Sequence, residues 1–137
     1  MSRTLVICKP DAVERGLAGE ILSRLERKGL NLVAAELRTI DADTARRHYA
    51  EHEGKAFFAE LVAFITRSPS LLMVAEGPRE DTWKVVRTLM GTTDPAQSPP
   101  GTIRGDYGMR ITDNLVHGSD GESSAQREIG LFFPGLA

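Results

Sequence analysis

The sequence is poor in cysteine and histidine and has no long apolar run. Cys8 is the only cysteine of the 137 residues, which excludes an internal disulfide, and its apolar neighbours indicate a small buried side chain. No stretch approaches the roughly 18 consecutive apolar residues that a membrane-spanning helix needs. The apolar run that ends at Lys9 is also too short for a secretory signal. These absences predict a cytoplasmic protein with no membrane-spanning segment.

An excess of one charge sign is also missing. The 17 basic and 19 acidic side chains give a net charge of −2, and no run of Lys or Arg forms a basic tail. Sequence-independent binding of nucleic acid depends on such positive charge, so it is not expected here. What is present, 41% hydrophobic and 26% charged residues, is typical of a globular protein. The length favours one compact domain over residues 1–137.

Strand and helix patterns alternate along the chain. Clusters of β-branched and apolar residues predict strands at 4–8, 30–40, 70–77 and near Leu115–Val116. Apolar residues at helical spacing predict helices at 11–29 with a bend or split at Gly16, and at 44–53, 57–68, 80–90 and 123–133. Asp43 is the expected N-cap of the second helix, and Ser123 with Gln126 has capping-box spacing. This order indicates an α/β protein of the α+β class, a split βαβ sheet of ferredoxin-like type.

Residues 92–107 combine three prolines and two glycines with no periodicity and predict a loop. A structureless loop of this length in a small domain is usually functional. The familiar nucleotide motifs G-x-x-x-x-G-K-[ST] and G-x-G-x-x-G are absent. Phosphate chemistry in this chain would therefore need another design.

His117 lies in the stretch DNLVHGSD, between an apolar pair and a tight turn, which suggests an imidazole held in a set direction. A metal site is disfavoured because His48 and His52 are far away in sequence, where their spacing is typical of a solvated helix face. A Ser-His-Asp triad is disfavoured because Ser119 is only two residues away and no G-x-S-x-G motif is present. A buried core histidine and a nucleophile that attacks a phosphoryl group remain as the two interpretations.

Several blocks of the sequence together resemble the nucleoside diphosphate kinase family. They are TLVICKPDAVERGLAGEI, HYAEH, FFAELV, LMGTTDPAQSPPGTIRGDYG, NLVHGSDGESSAQREI and IGLFFPG, in that order. The resemblance covers nearly the whole chain and implies a four-stranded antiparallel sheet covered by helices. It also implies ping-pong exchange of a phosphoryl group between nucleoside tri- and diphosphates, with phosphohistidine as the intermediate. Gly121 and Ser123 stand where many family members have Ser and Glu.

The resemblance also implies roles for individual residues. His117 would be the nucleophile and Glu128 the carboxylate that orients it. The phosphate oxygens would be neutralised by Lys9, Arg87 and Arg104, with a hydroxyl from Thr93, and the ribose or phosphate side would be bonded by Asn114. The nucleophile would be bordered by Tyr49 and Ser119, and the base would be sandwiched by Phe57 and Leu61. Mg²⁺ would be held mainly by the nucleotide's phosphates, with Asp120 as an outer contact.

The family further implies a homo-oligomer, with a hexamer favoured and a tetramer as the alternative. The competing interpretation is a ferredoxin-like module that binds nucleotide or a protein partner without turnover. Such a module would be expected to have lost the histidine or the basic residues that would bind phosphate. The chain keeps His117, Lys9, Arg87, Arg104 and Glu128, which favours the enzyme.

Overall fold

The computed structural model of the chain describes residues 1–136. One sheet contains four strands: β1 (Ser2–Cys8), β2 (Asn31–Arg38), β3 (Ser70–Gly77) and β4 (Val116–Gly118). Their order across the sheet is β2-β3-β1-β4, and every neighbouring pair is antiparallel. The predicted fold, a four-stranded antiparallel sheet of ferredoxin-like type with helices, is confirmed.

Side chains of the central strand β1 alternate between two cores because successive residues of a strand point to opposite faces. Val6 and Cys8 pack on one face with helical residues such as Ile21 and Met90, and all four are buried. Leu5 and Ile7 pack on the other face, in a second core that contains Ile65, Ile129 and Phe132. Each fully buried aliphatic side chain contributes about 1.5–3 kcal/mol. The prediction that Cys8 is a buried side chain is confirmed.

Seven helices surround the sheet in the described part of the chain. They are α1 (Pro10–Glu14), α2 (Ala18–Lys28), α3 (Ala42–His48), α4 (Phe58–Thr66), α5 (Thr82–Met90), α6 (Ile103–Tyr107) and α7 (Glu122–Phe132). Gly16 separates α1 from α2 with a φ of 73°, a conformation that glycine adopts without a Cβ clash. None of the helices within residues 1–136 is long and apolar enough to cross a membrane.

Two predicted helix starts were wrong. The N-cap of α3 is Asp41, whose carboxylate accepts a hydrogen bond from the backbone N–H of Thr44 at 3.1 Å, so Asp43 lies inside the first turn. The helix α7 begins at Glu122 after Gly121 and has no side-chain cap, so the capping box of Ser123 and Gln126 does not form. Spacing alone did not show where the extended residue before each helix lies.

The predicted loop at 92–107 contains more structure than its sequence suggested. It holds a short 3₁₀ turn at Pro95–Gln97 and the helix α6. Thr102 caps α6 by accepting from the N–H of Gly105 at 3.0 Å. Gly105 is required there because a Cβ would come within 2.0 Å of the Pro99 carbonyl oxygen. These local contacts turn the segment back so that Arg104 points into the protein.

Candidate active site

The strand β4 places His117 at one edge of the sheet, where it pairs with Ile7 of the central strand β1. Just before it, Leu115 has a φ of 75°, which a non-glycine residue adopts only when its surroundings hold it. The carboxylate of Asp11 accepts from the N–H of Leu115 at 3.1 Å, and the Lys9 N–H donates to the Leu115 carbonyl at 2.9 Å. The backbone turn before His117 is thus fixed by Lys9 and Asp11, which belong to the sequence Lys9-Pro10-Asp11. Sequence reasoning had missed Asp11 as part of the site.

The imidazole of His117 is oriented by Glu128 of α7. The Nε2 atom of His117 lies 2.9 Å from Oε1 of Glu128, and the Ser119 hydroxyl donates to the same oxygen at 2.7 Å. Burial alone would raise the pKa of Glu128, but the hydrogen bond and charge of His117 and the Ser119 hydroxyl lower it to about 2. An ionised acceptor at Nε2 favours the tautomer that carries its proton there. The other ring nitrogen, Nδ1, is then unprotonated and carries a free lone pair.

Ser119 and Tyr49 differ in their position relative to His117. Ser119 is fully buried, and besides donating to Glu128 it accepts from the N–H of Leu5 at 3.3 Å, so it lies behind the site. Tyr49 lines the cleft, and burial with the nearby charge of Glu128 raises its pKa to about 12. Its hydroxyl therefore remains protonated and can donate a hydrogen bond at neutral pH.

The position of His48 corrects the sequence interpretation. The spacing to His52 was taken as typical of a solvated helix face, yet only 4% of His48 is exposed. Its ring meets the ring of His117 edge-on, with centroids 4.8 Å apart and an interplanar angle of 84°. Ala45, three residues earlier on α3, is also buried. An apolar residue at that helical spacing was the sequence signal that this face points inward.

Three basic side chains and one amide surround the inner end of a cleft of about 720 Å³ that His117 lines. Nζ of Lys9 donates to Oδ1 of Asn114 at 2.8 Å, and Arg87 donates to the Gly118 carbonyl at 3.0 Å. Burial and the charge of Arg104 lower the pKa of Lys9 to about 8. The structure therefore brings together the residues at which the resemblance placed phosphate binding.

Arg104 is more deeply buried than a phosphate ligand on a flexible loop would be. Its guanidinium donates to the backbone carbonyls of Asn114, Gly91, Thr92 and Val116, and 5% of the residue is exposed. A guanidinium has five N–H groups, so one N–H of Arg104 remains for a substrate. Arg104 also holds the 92–107 segment against the corner at Leu115.

The outer part of the cleft is apolar on one side. Phe57 and Leu61 line it, and 45% of Phe57 is exposed with Nζ of Lys55 lying 5.7 Å from its ring centre. Thr93 lies at the rim, and its carbonyl accepts from the side-chain amide of Asn114 at 3.1 Å. An exposed aromatic ring beside positive charge suits a planar base attached to phosphates.

The carboxylates that face the cleft limit where a metal ion could lie. His48, His117 and Glu128 offer ligand atoms within 4.8 Å of one another, but Glu128 is already bonded to His117 and Ser119. Asp120 is exposed at the cleft, and its Oδ1 accepts from the Ser124 hydroxyl, which leaves Oδ2 free. A free carboxylate oxygen of this kind fits Mg²⁺, which keeps several waters and takes other ligands from phosphates.

The fold and the site together define a ferredoxin-like α+β phosphotransferase with a carboxylate-oriented histidine in a basic cleft. A family model described as nucleoside diphosphate kinase matches residues 2–136. The chain belongs to the nucleoside diphosphate kinase family.

Relatives and solved structures agree with this assignment. The chain is 57% identical over 137 residues to a nucleoside diphosphate kinase from Frankia casuarinae, covering 100% of this chain and 98% of that protein. It is also 57% identical to one from Thermobifida fusca over the full length of both. Among solved structures, the Halobacterium salinarum enzyme in complex with CDP has a TM-score of 0.92 at 52% identity, covering 96% of this chain and 87% of that chain. A family protein from Babesia bovis gives 0.95 at 45%, covering 99% and 90%.

The activity of the chain follows from this membership. It is a phosphotransferase that moves the γ-phosphoryl group of a nucleoside triphosphate to a nucleoside diphosphate. The family works by ping-pong exchange through a phosphohistidine and needs a divalent cation. The predicted enzyme class is confirmed.

Proposed function

We propose that His117 carries the phosphoryl group in this exchange. The observation that supports it most directly is the hydrogen bond between Nε2 of His117 and Glu128, at 2.9 Å. That bond leaves Nδ1 as the unprotonated nitrogen at the inner end of the cleft. The surroundings of His52 differ, because its Nε2 lies 3.6 Å from Glu51, beyond hydrogen-bond distance, and its Nδ1 contacts Nζ of Lys55.

The reaction is a direct displacement at phosphorus. The Nδ1 lone pair of His117 forms an N–P bond to the γ-phosphorus, while the bond from that phosphorus to the β–γ bridging oxygen breaks. The nucleoside diphosphate leaves with that electron pair. A second diphosphate then attacks the phosphohistidine through its terminal oxygen, and His117 recovers its lone pair. Nε2 keeps its proton throughout because Glu128 accepts from it.

The charges around the cleft suit the transferred group. Lys9 and Arg87 would neutralise phosphate oxygens, and the free N–H of Arg104 would add a third donor. Preorganised donors of this kind act where negative charge is distributed in the transition state. Asn114 and Thr93 would bond the ribose or phosphates from the rim. The existing bonds of Lys9 and Asn114 to each other hold both side chains near this position.

The outer cleft would hold the base between Phe57 and Leu61. Their contacts are apolar and do not read base edges, because stacking works with the face of any base. The enzyme would thus accept purine and pyrimidine nucleotides alike, which is what balancing nucleoside triphosphate pools requires.

The divalent cation would be Mg²⁺, bound mainly by the nucleotide's phosphates with Asp120 as an outer contact. When bound, it neutralises phosphate charge. The free Oδ2 of Asp120 at the cleft supports this assignment.

The chain would act as one domain over residues 1–137, in a cytoplasmic homo-oligomer, with a hexamer favoured and a tetramer as the alternative. The edge strand β2 supports self-association because Leu37 is 60% exposed on it. Unpaired strand edges favour association. Binding to nucleic acid or membranes is not part of the proposed function.

Initial-rate kinetics test the proposal. ATP and a second diphosphate such as dTDP are varied against each other, and His117→Ala is measured alongside the unchanged protein. Parallel double-reciprocal lines and a complete loss of transfer in His117→Ala are expected. Intersecting lines would mean a ternary complex with direct transfer, and residual turnover in a folded His117→Ala protein would move the nucleophile elsewhere.

A further inference from the structure

His48 is a buried polar group that the exchange described above does not use. It lies at the end of α3, packed against His117 and against the ring of Phe132, whose centroid is 5.4 Å away. Its Nδ1 atom is buried and has no hydrogen-bond partner among the described residues. Buried polar atoms are paired in the great majority of cases, so an unpaired one next to a reacting group calls for a functional explanation.

The second oxygen of Glu128 lies near this atom, just outside hydrogen-bond distance. Nδ1 of His48 lies 3.9 Å from Oε2 of Glu128, too far for a hydrogen bond, while Oε1 is already bonded to His117 and Ser119. The carboxylate therefore lies between two imidazoles and is bonded to one of them. Hydrogen bonds that act in catalysis are often long without substrate and shorten during the reaction.

His48 is in the right protonation state to donate to Glu128. Burial, followed by the neighbouring His117, lowers the pKa of His48 to about 3, so the ring is neutral. A neutral imidazole next to a carboxylate favours the tautomer with its proton on the near nitrogen, here Nδ1. A neutral donor also leaves the negative charge of Glu128 available to His117.

We propose that His48 is a positioning residue whose Nδ1–H donates to Glu128 when His117 carries the phosphoryl group. The inference rests on the proposed role of His117. Forming the N–P bond places positive charge on the His117 ring, which strengthens the hydrogen bond from Nε2 of His117 to Glu128. The carboxylate is then held more firmly between the two rings. A shift of about 1 Å in Oε2 would bring it within hydrogen-bond distance of His48. The bond is then made in the phosphorylated enzyme and missing in the resting one.

This timing separates His48 from an ordinary packing residue. An interaction present only in the transition state and the phosphoenzyme speeds formation of the phosphoenzyme and leaves the binding of ATP unchanged. The unpaired nitrogen also lowers the stability of the resting protein, so replacing it with an apolar ring is neutral or stabilising. Activity and stability should therefore change in opposite directions.

Three variants of the full chain test the proposal. His48→Phe keeps a ring but has no hydrogen-bond donor, and His48→Asn keeps an N–H near the Nδ1 position without the ring. Phe132→Leu changes the packing around His48 and leaves the imidazole in place. Each is equilibrated with Mg-ATP and ADP in equal amounts, and the ratio of phosphorylated to free enzyme is measured. The rate of phosphoenzyme formation, the apparent Kd for ATP and the thermal unfolding midpoint are measured separately. For His48→Phe, we expect the ratio and the rate of phosphoenzyme formation to fall about tenfold, the size of one hydrogen bond, with the apparent Kd within twofold and an unfolding midpoint no lower than that of the unchanged protein.

The other two variants should lose stability but keep more of the phosphoenzyme than His48→Phe does. His48→Asn should be less stable than His48→Phe yet keep a higher phosphoenzyme ratio, and Phe132→Leu should lose stability with its ratio unchanged. An unchanged ratio in His48→Phe, or equal ratios in the Phe and Asn variants, would overturn the role of His48 and leave that of His117 intact. Absence of phosphoenzyme in the unchanged protein would overturn both.

Discussion

Replacing Glu128 with glutamine removes one negative charge from the site and keeps the size of the side chain. In the structure, Oε1 of Glu128 accepts from Nε2 of His117 at 2.9 Å and from Ser119 at 2.7 Å. A hydrogen bond to a charged group contributes about 1.5–3 kcal/mol, and one between neutral groups about 0.5–1.5 kcal/mol. The variant should therefore lose about 1–1.5 kcal/mol of stabilisation of the phosphorylated ring.

That loss corresponds to about a tenfold slower formation of phosphoenzyme, since 1.36 kcal/mol is one factor of ten in rate. Glutamine can also turn its amide group toward Nε2, which moves the proton to Nδ1 and blocks attack. Both effects act on the same step, so tenfold is the smaller expected decrease. Binding of ATP should change little because Glu128 is buried and bonded to His117 and Ser119.

The assay is rapid-quench measurement of phosphoenzyme formation at saturating Mg-ATP. Glu122→Gln is the matched control, because it removes the same charge from an exposed position in the first turn of α7. We expect a rate at least tenfold lower for Glu128→Gln and an unchanged rate for Glu122→Gln. A rate for Glu128→Gln equal to that of the unchanged protein would refute the argument that this carboxylate fixes the tautomer of His117.

Four further outcomes are expected. Phe57→Ala should raise KM about fivefold for every nucleotide, near the lower end of measured stacking contributions because the ring is half exposed; an effect confined to purines would contradict stacking without base reading. The pKa of Lys9 near 8 means that it loses its charge as pH rises through that value, so kcat/KM should fall on the alkaline side, and Lys9→Arg should lack this decrease. The pKa of His48 is lowered from 6.5 to about 3 in the folded protein, so as pH falls from 6.5 toward 3 the unfolded chain binds a proton that the folded protein does not, and the free energy of unfolding decreases. The free energy of unfolding, measured by denaturant at pH 7 and 5, should thus fall less in His48→Phe than in the unchanged protein. Removal of divalent cations with EDTA should stop transfer, and Mg²⁺ should restore it; full activity in EDTA would exclude a cation requirement.

The main elements of the fold were accessible from the sequence because its periodicities are clear. The third strand lies at Ser70–Gly77 as predicted, and the second at Asn31–Arg38 within the predicted 30–40. Errors arose where single hydrogen bonds decide. The choice between Asp41 and Asp43 as N-cap depends on which residue is extended, and the helix α6 depends on a cap by Thr102 within a segment rich in proline and glycine.

The site was predictable in its residues but not in their contacts. Short motifs pointed to His117 and Glu128, which lie eleven residues apart and meet at 2.9 Å because α7 packs on β1. The proximity of His48 to His117 was missed because 69 positions separate them in sequence, and only folding brings α3 against α7. The burial of Arg104 was also not foreseeable, since it depends on four carbonyls from two separate segments.

Isolation of the phosphorylated protein tests the central claim most directly. The chain is mixed with Mg-ATP labelled at the γ-phosphate, freed of nucleotide and assayed for label, and unlabelled GDP is then added. We expect acid-labile, base-stable label that moves to GTP and is missing in His117→Ala. A folded protein that binds ATP but takes up no label, or label that persists in His117→Ala, would contradict it.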